Sequence, residues 1–143
     1  MSRTKRTPCV GICSTTYGDL VCRGCKRFAH EIVAWNGYEP EQREQIWQRL
    51  NHLRDQVVAQ FLFVADGKML ASYCQTAEIE TDNTASSIYR LLAHLVAGNR
   101  ALTEAGLQST VVEQDALEVM KAIDSEIYAR SQAHYERNFR VTS

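Results

Sequence analysis

The spacing of hydrophobic residues along the chain predicts a mainly helical protein. Over residues 40–64, apolar residues recur every three or four positions, as they do on the buried face of an amphipathic helix. Asp66 and Gly67 follow as a turn signal that ends this helix. The same periodicity predicts helices over residues 88–105 and 113–138, and no alternating pattern competes with it.

Shorter segments complete this prediction. A short helix is expected after the second cysteine pair, with Phe28 and Trp35 on one face, and with Trp35 and Trp47 packing it against the long helix. Residues 68–73 fit a helical turn or an isolated strand equally well, and the polar residues 75–87 predict a loop. Residues 38–143 should therefore form a body of three to four helices.

Four of the five cysteines lie close together near the N-terminus, in the spacing C-x3-C-x8-C-x2-C. They follow a basic segment without the apolar stretch of a secretory signal, so we expect a cytoplasmic protein, and no apolar run is long enough to span a membrane. Cytosolic cysteine clusters bind metal more often than they form disulfides. Residues 1–37 are thus predicted to be a metal-binding module with the ligands Cys9, Cys13, Cys22 and Cys25.

The spacing indicates a metal more strongly than it indicates which metal. Four thiolates suit a closed, structural Zn²⁺ site, here a small treble-clef-like knuckle whose second cysteine pair lies at the start of a helix. The same four thiolates suit an iron–sulfur cluster, and two disulfides remain a further alternative. Cys74 is expected to be a small, half-buried apolar residue, and His30 is the histidine placed to replace a cysteine ligand.

Charge is distributed unevenly along the chain. Residues 1–30 carry six basic residues and a single acidic one, Asp19, whereas the remainder has more acidic than basic residues. A basic surface of this kind is typical of nucleic-acid binding, but cations also balance the negative charge of metal-bound thiolates. The candidate nucleic-acid-binding residues are Arg3, Lys5, Arg6, Arg23, Lys26 and Arg27.

The stretch "TPCVGICSTTYGDLVCRGCKRFAHEIVAWNGYEPEQR" resembles the DUF1289 family, small bacterial proteins labelled as predicted iron–sulfur proteins. The resemblance covers roughly residues 7–55, and the departures from the pattern, at Phe28, Ala29 and "NGYEP", do not touch the cysteines. The matching residues are Pro8, Cys9, Gly11, Cys13, Cys22, Gly24, Cys25, Glu31, Ile32 and Trp35. The resemblance implies a metal site on the four cysteines without deciding between zinc and iron–sulfur.

No catalytic motif is present: the chain has no zinc-protease, hydrolase-elbow or phosphate-loop signature. The leading hypothesis is a cytosolic metal-binding accessory protein whose basic N-terminal module docks on RNA or an RNA-bound protein assembly. The alternative is an iron–sulfur protein that transfers electrons to a protein redox partner or senses oxidative stress. A thiol–disulfide switch is a third hypothesis.

Overall fold

The computed structural model describes residues 7–10, 13–82, 84–111 and 115–139. Over these residues the predicted mainly α fold is confirmed. No helix among them has the length and apolar character needed to cross a membrane. The helices are α1 (Ala29–Ala34), α2 (Pro40–Phe61), α3 (Gly67–Ala77), α4 (Ala85–Ala97) and α5 (Ala116–Asn138), with 3₁₀ turns at Ser14–Tyr17, Trp35–Gly37 and Leu102–Ala105.

Two short strands were not predicted. The strands β1 (Leu62–Val64) and β2 (Leu107–Ser109) pair antiparallel, with Leu62 opposite Ser109 and Val64 opposite Leu107. The helix predicted over residues 40–64 therefore ends at Phe61. A three-residue strand is too short to produce a recognisable alternation, and its partner lies far along the chain.

The helix predicted over residues 88–105 was too long. Helix α4 ends at Ala97, where Gly98 caps it and Asn99 adopts a left-handed conformation with φ of 55°. At its other end α4 begins at Ala85, because the Thr84 hydroxyl accepts a hydrogen bond from the Ser87 amide at 3.2 Å. The loop predicted over residues 75–87 is correspondingly shorter, and the ambiguous residues 68–73 are part of α3.

The chain divides into two compact units, and α2 and α5 contribute residues to both. One unit comprises the chain up to Asn51 and from Ile127 onward, and the other comprises His52–Glu126. The unit that contains the four cysteines thus extends beyond residue 37, the end predicted for the cysteine module. It includes the first turns of α2 and the last turns of α5.

The His52–Glu126 unit has an aliphatic core drawn from all of its helices and both strands. The buried side chains there include Val57, Val58, Leu62, Leu70, Leu91, Leu92, Leu95, Leu102, Leu107, Val119 and Ile123. The turn Leu102–Ala105 packs on α3, and Asp66 caps α3 by accepting hydrogen bonds from the amides of Lys68 and Met69.

Replacing Gly106 with alanine should destabilise the His52–Glu126 unit by at least about 2 kcal/mol. Gly106 has φ of 71°, and a Cβ atom there would overlap the Asp66 carbonyl oxygen. Thermal unfolding followed by circular dichroism measures the effect. Gly67→Ala is the matched control, because a Cβ at Gly67 meets no atom within 4 Å. Equal melting temperatures for the two variants would contradict the prediction.

Candidate metal centre

The second cysteine pair lies in a tight hairpin, residues 20–29, which we call the cysteine hairpin. Val21 and Phe28 form an antiparallel bridge at its base. Inside it, the Cys22 amide donates to the Arg27 carbonyl at 2.9 Å, and the Lys26 amide donates to the Cys22 carbonyl at 2.9 Å. The prediction that this pair starts a helix was wrong. Lys26 has a left-handed φ of 68°, which a continuous helix does not allow, and α1 begins only at Ala29.

Cys22 is buried in this hairpin, with the residue 1% exposed. Burial raises the pKa of the Cys22 thiol, but hydrogen bonds from the amides of Cys25, Ser14 and Gly24 and from the Cys25 thiol lower it by more. The resulting pKa is about 7. Amides directed at a sulfur favour the thiolate, which is the form that binds metal.

The first cysteine pair is connected to this hairpin through Ser14. The Ser14 amide donates to the Cys22 sulfur, and the Ser14 hydroxyl accepts a hydrogen bond from the Arg23 amide at 2.8 Å. Cys13 precedes Ser14 and is half-buried, with its sulfur 2.7 Å from the Thr15 hydroxyl. Cys9 is exposed, and its amide donates to the Thr7 hydroxyl at 3.3 Å. Gly11, the glycine of the first pair, lies outside the described residues.

Cys25 is 8% exposed, and burial raises its pKa although Arg27 partly offsets the effect. The Arg27 guanidinium donates to the Cys25 sulfur at 3.3 Å. It also lies over the Trp35 ring, 4.9 Å from the ring centroid. Arg27 thus places a buried positive charge beside a thiol, as expected of a counter-charge to a thiolate.

The basic residues proposed for nucleic-acid binding differ in exposure. Lys26 and Arg27 are 6% and 4% exposed, and the Lys26 ammonium donates to the carbonyls of Arg23 and Gly24. The Arg23 side chain is 70% exposed and forms a 3.4 Å ion pair with Asp19. Arg3, Lys5 and Arg6 lie outside the described residues.

Among the described residues, no three Cys, His, Asp or Glu side chains converge in a group that could hold a metal ion. The donor set itself nevertheless suits a soft, thiolate-binding metal. Cys22 and Cys25 are hydrogen-bonded to each other in one turn, amides surround the Cys22 sulfur, and Ser14 brings the segment of Cys13 against that turn. These residues therefore fit a metal ion chemically.

A partly buried ion pair holds α1 against the first turns of α2, with the Arg49 side chain 30% exposed and the Glu31 side chain 7% exposed. Glu31 is 5% exposed, and its carboxylate accepts two hydrogen bonds from Arg49, at 2.5 and 2.8 Å. The same carboxylate accepts the Phe28 amide at 2.9 Å, which caps α1. The sequence analysis did not predict this pair. The available signal was Glu31, three residues after Phe28, the N-cap residue of a short apolar helix.

Trp35 packs between the cysteine hairpin and α2, as predicted. It is 6% exposed, with Arg27 on its ring and the Arg43 guanidinium 5.8 Å from the ring centroid. Arg43 also donates to the Trp35 carbonyl at 3.0 Å.

The end of α5 contributes an aromatic cluster that sequence reasoning also missed. Phe28, which is 1% exposed, lies 5.6 Å from His134, 5.4 Å from Tyr135 and 5.2 Å from Phe139 between ring centroids. The His30 ring lies 5.8 Å from Phe28 and completes this aromatic cluster. Tyr128, Tyr135 and Phe139, at helical spacing, were the available signal. Cys74, by contrast, lies on α3 in the His52–Glu126 unit and is 4% exposed, more deeply buried than predicted.

Together these features describe a small helical protein with a thiol-rich hairpin beside its N-terminus. Residues 7–54 match the family model described as "Protein of unknown function (DUF1289)", which confirms the resemblance to that family. The match covers about a third of the chain and includes all four clustered cysteines, Glu31 and Arg49. No curated protein and no solved structure matched the chain.

Proposed function

We propose that the protein is a metal-binding accessory protein in which Cys9, Cys13, Cys22 and Cys25 hold one structural Zn²⁺ ion. The observation that carries this proposal is the set of amides and the thiol that donate to the Cys22 sulfur within a tight C-x2-C hairpin. Such a hairpin prepares a thiolate for metal at neutral pH. When bound, the metal cross-links the two cysteine pairs and so supplies folding free energy to residues 7–37.

The residues around the thiols have defined roles in this proposal. Arg27 balances the charge of the Cys25 thiolate, because its guanidinium donates to that sulfur from a buried position. Lys26 holds the hairpin in its left-handed turn through two hydrogen bonds to backbone carbonyls. Glu31 and Arg49 fix the helix that follows.

Metal analysis of the purified full-length protein tests the proposal. We expect about one zinc per chain and no absorbance above 300 nm, and we expect the zinc to be lost when Cys22 is replaced by serine. An iron–sulfur cluster on the same four cysteines is the second candidate, which the amide-to-sulfur hydrogen bonds also favour. Iron, sulfide and visible absorbance would establish that candidate. Protein without either metal, purified anaerobically with reductant, would overturn both.

For the partner, we propose RNA or an RNA-bound protein assembly, contacted by Arg23 and by the N-terminal residues Arg3, Lys5 and Arg6. The proposal is supported by the concentration of basic residues in the first 30 positions and by the exposure of Arg23. Lys26 and Arg27 are left out of this surface because they are buried.

Binding to single-stranded RNA should weaken as salt is raised, by about 0.7 in log affinity per log unit of salt for each phosphate contacted. Replacing Arg3, Lys5 and Arg6 with glutamine should make that slope shallower by about 2 if all three contact phosphate. Fluorescence anisotropy at several salt concentrations measures both slopes. Arg137→Gln, a change at an exposed residue of α5, is the control. A wild-type protein that does not bind RNA at low salt would favour a protein redox partner.

A further inference from the structure

The last turns of α5 contact the cysteine hairpin at two separate places. At the hairpin turn, the Arg23 guanidinium lies over the Tyr128 ring, 4.9 Å from its centroid. At the hairpin base, Phe28 is enclosed by His134, Tyr135 and Phe139. Arg23 lies between Cys22 and Gly24, and Phe28 is three positions after Cys25. Each contact is thus made next to a candidate metal ligand.

The packing around Phe28 is dense. The His134 ring stacks on it with an interplanar angle of 8°, Tyr135 and Phe139 meet it at 60° and 55°, and the Arg49 guanidinium lies 4.4 Å from its centroid. Phe139 in turn lies 5.1 Å from His30. Aromatic pairs at such separations are attractive beyond the area that they bury. The base of the cysteine hairpin is therefore fixed by groups from α2 and α5 together.

These contacts involve residues outside the segment that matches the family. The match ends at residue 54, whereas the residues that enclose Phe28 and contact Arg23 lie at positions 128–139, in the last turns of α5 and directly after it. The described residues from Ile127 onward nevertheless group with the described residues up to Asn51 in one compact unit. The thiol-bearing segment of this chain is therefore packed by residues that follow the matched segment by more than 70 positions.

We propose that the last turns of α5 are part of the metal module, with Tyr128, Tyr135 and Phe139 as positioning residues for the Cys22–Cys25 hairpin. This inference rests on the proposed metal site. A metal binds more tightly when its ligands are already ordered, because less conformational entropy is lost on binding. Because such coupling is reciprocal, metal binding must stabilise the end of α5 by the same free energy by which α5 strengthens metal binding.

Zn²⁺ affinity of full-length variants tests the proposal. The double substitution Tyr135→Ala and Phe139→Ala removes two of the rings around Phe28, and we expect it to weaken Zn²⁺ binding by about tenfold or more. Competition against a chromophoric chelator measures the affinity, with helix content checked by circular dichroism. Tyr135→Phe keeps the ring and should bind Zn²⁺ like the wild type. Arg137→Ala, on the same helix but exposed, is the control.

Hydrogen exchange measures the reciprocal effect. Addition of Zn²⁺ to the metal-free wild type should slow amide exchange in residues 127–139, and in the double variant this slowing should be smaller. The proposal is overturned if the double variant binds Zn²⁺ as tightly as the wild type does. A wild type that binds neither zinc nor a cluster would overturn the proposed function as well. If the isolated protein carries an iron–sulfur cluster, the rate of cluster loss to a chelator replaces zinc affinity and should rise about tenfold.

Discussion

Replacing Cys22 with serine is expected to unfold residues 7–37 while α3 and α4 keep their structure. Cys22 is buried and accepts the hydrogen bonds that shape the hairpin, so its loss removes both a ligand and the centre of the turn. Structural zinc contributes on the order of 10 kcal/mol to the folding of small metal-binding modules. Hydrogen exchange should therefore show loss of amide protection across the described residues of this segment.

Cys74→Ser is the matched control for this experiment. Cys74 is equally buried, at 4% exposure, but it lies on α3 in the His52–Glu126 unit. The Cys74→Ser variant should keep its metal bound, and its amide exchange in residues 13–37 should be unchanged. Unchanged protection of residues 13–37 in the Cys22→Ser variant would contradict a structural role for the metal.

Replacing Arg49 with methionine should destabilise the cysteine-containing unit by about 2–3 kcal/mol, because the buried Glu31 carboxylate loses a partner that is itself only partly buried. Arg49 donates two hydrogen bonds to that carboxylate and lies over the Phe28 ring. Chemical unfolding followed by tryptophan fluorescence is the suitable measurement. Both tryptophans, Trp35 and Trp47, belong to this unit, so the signal reports its unfolding.

A second variant, in which Glu31 is also made neutral, separates two contributions to stability: the cost of an unpaired buried charge and the stabilisation that the ion pair provides. Adding Glu31→Gln to the Arg49→Met variant should recover part of the lost stability, because no buried charge then remains unpaired. Asp19→Asn serves as the surface control: its ion pair with Arg23 is exposed, and its loss should cost less than about 1 kcal/mol. An Arg49→Met effect as small as this control would show that the Glu31 pair contributes little.

The cysteines and the Glu31–Arg49 pair both act on the segment around the cysteine hairpin. In the proposed metal site the cysteines close the hairpin, and the Glu31–Arg49 pair joins the helix after it to α2. Phe28 connects the hairpin to the ion pair. Its amide donates a hydrogen bond to the Glu31 carboxylate, and its ring contacts Arg49 and α5. Damage to either should therefore weaken the other, and the Arg49→Met variant is expected to hold metal less tightly.

Helical periodicity alone was sufficient to predict most of the fold. The apolar spacing located α2, α4 and α5 because amphipathic helices repeat their buried positions locally, every three or four residues. The cysteine spacing, likewise local, indicated the candidate ligands and the family resemblance. The placement of Trp35 against α2 also followed from sequence, because both elements are neighbours along the chain.

Only the tertiary structure decided which distant residues meet around the hairpin. Three contacts join residues whose local sequence does not indicate their partners. They are the pairing of β1 with β2, the ion pair of Glu31 with Arg49, and the packing of α5 on Phe28. The charges of Lys26 and Arg27 led to a wrong prediction of their exposure for the same reason. Both residues are basic, but in the fold they contact backbone carbonyls, a cysteine sulfur and an indole ring. The burial of a residue depends on which other residues pack against it. A single sequence indicates such neighbours only within the same helix or turn.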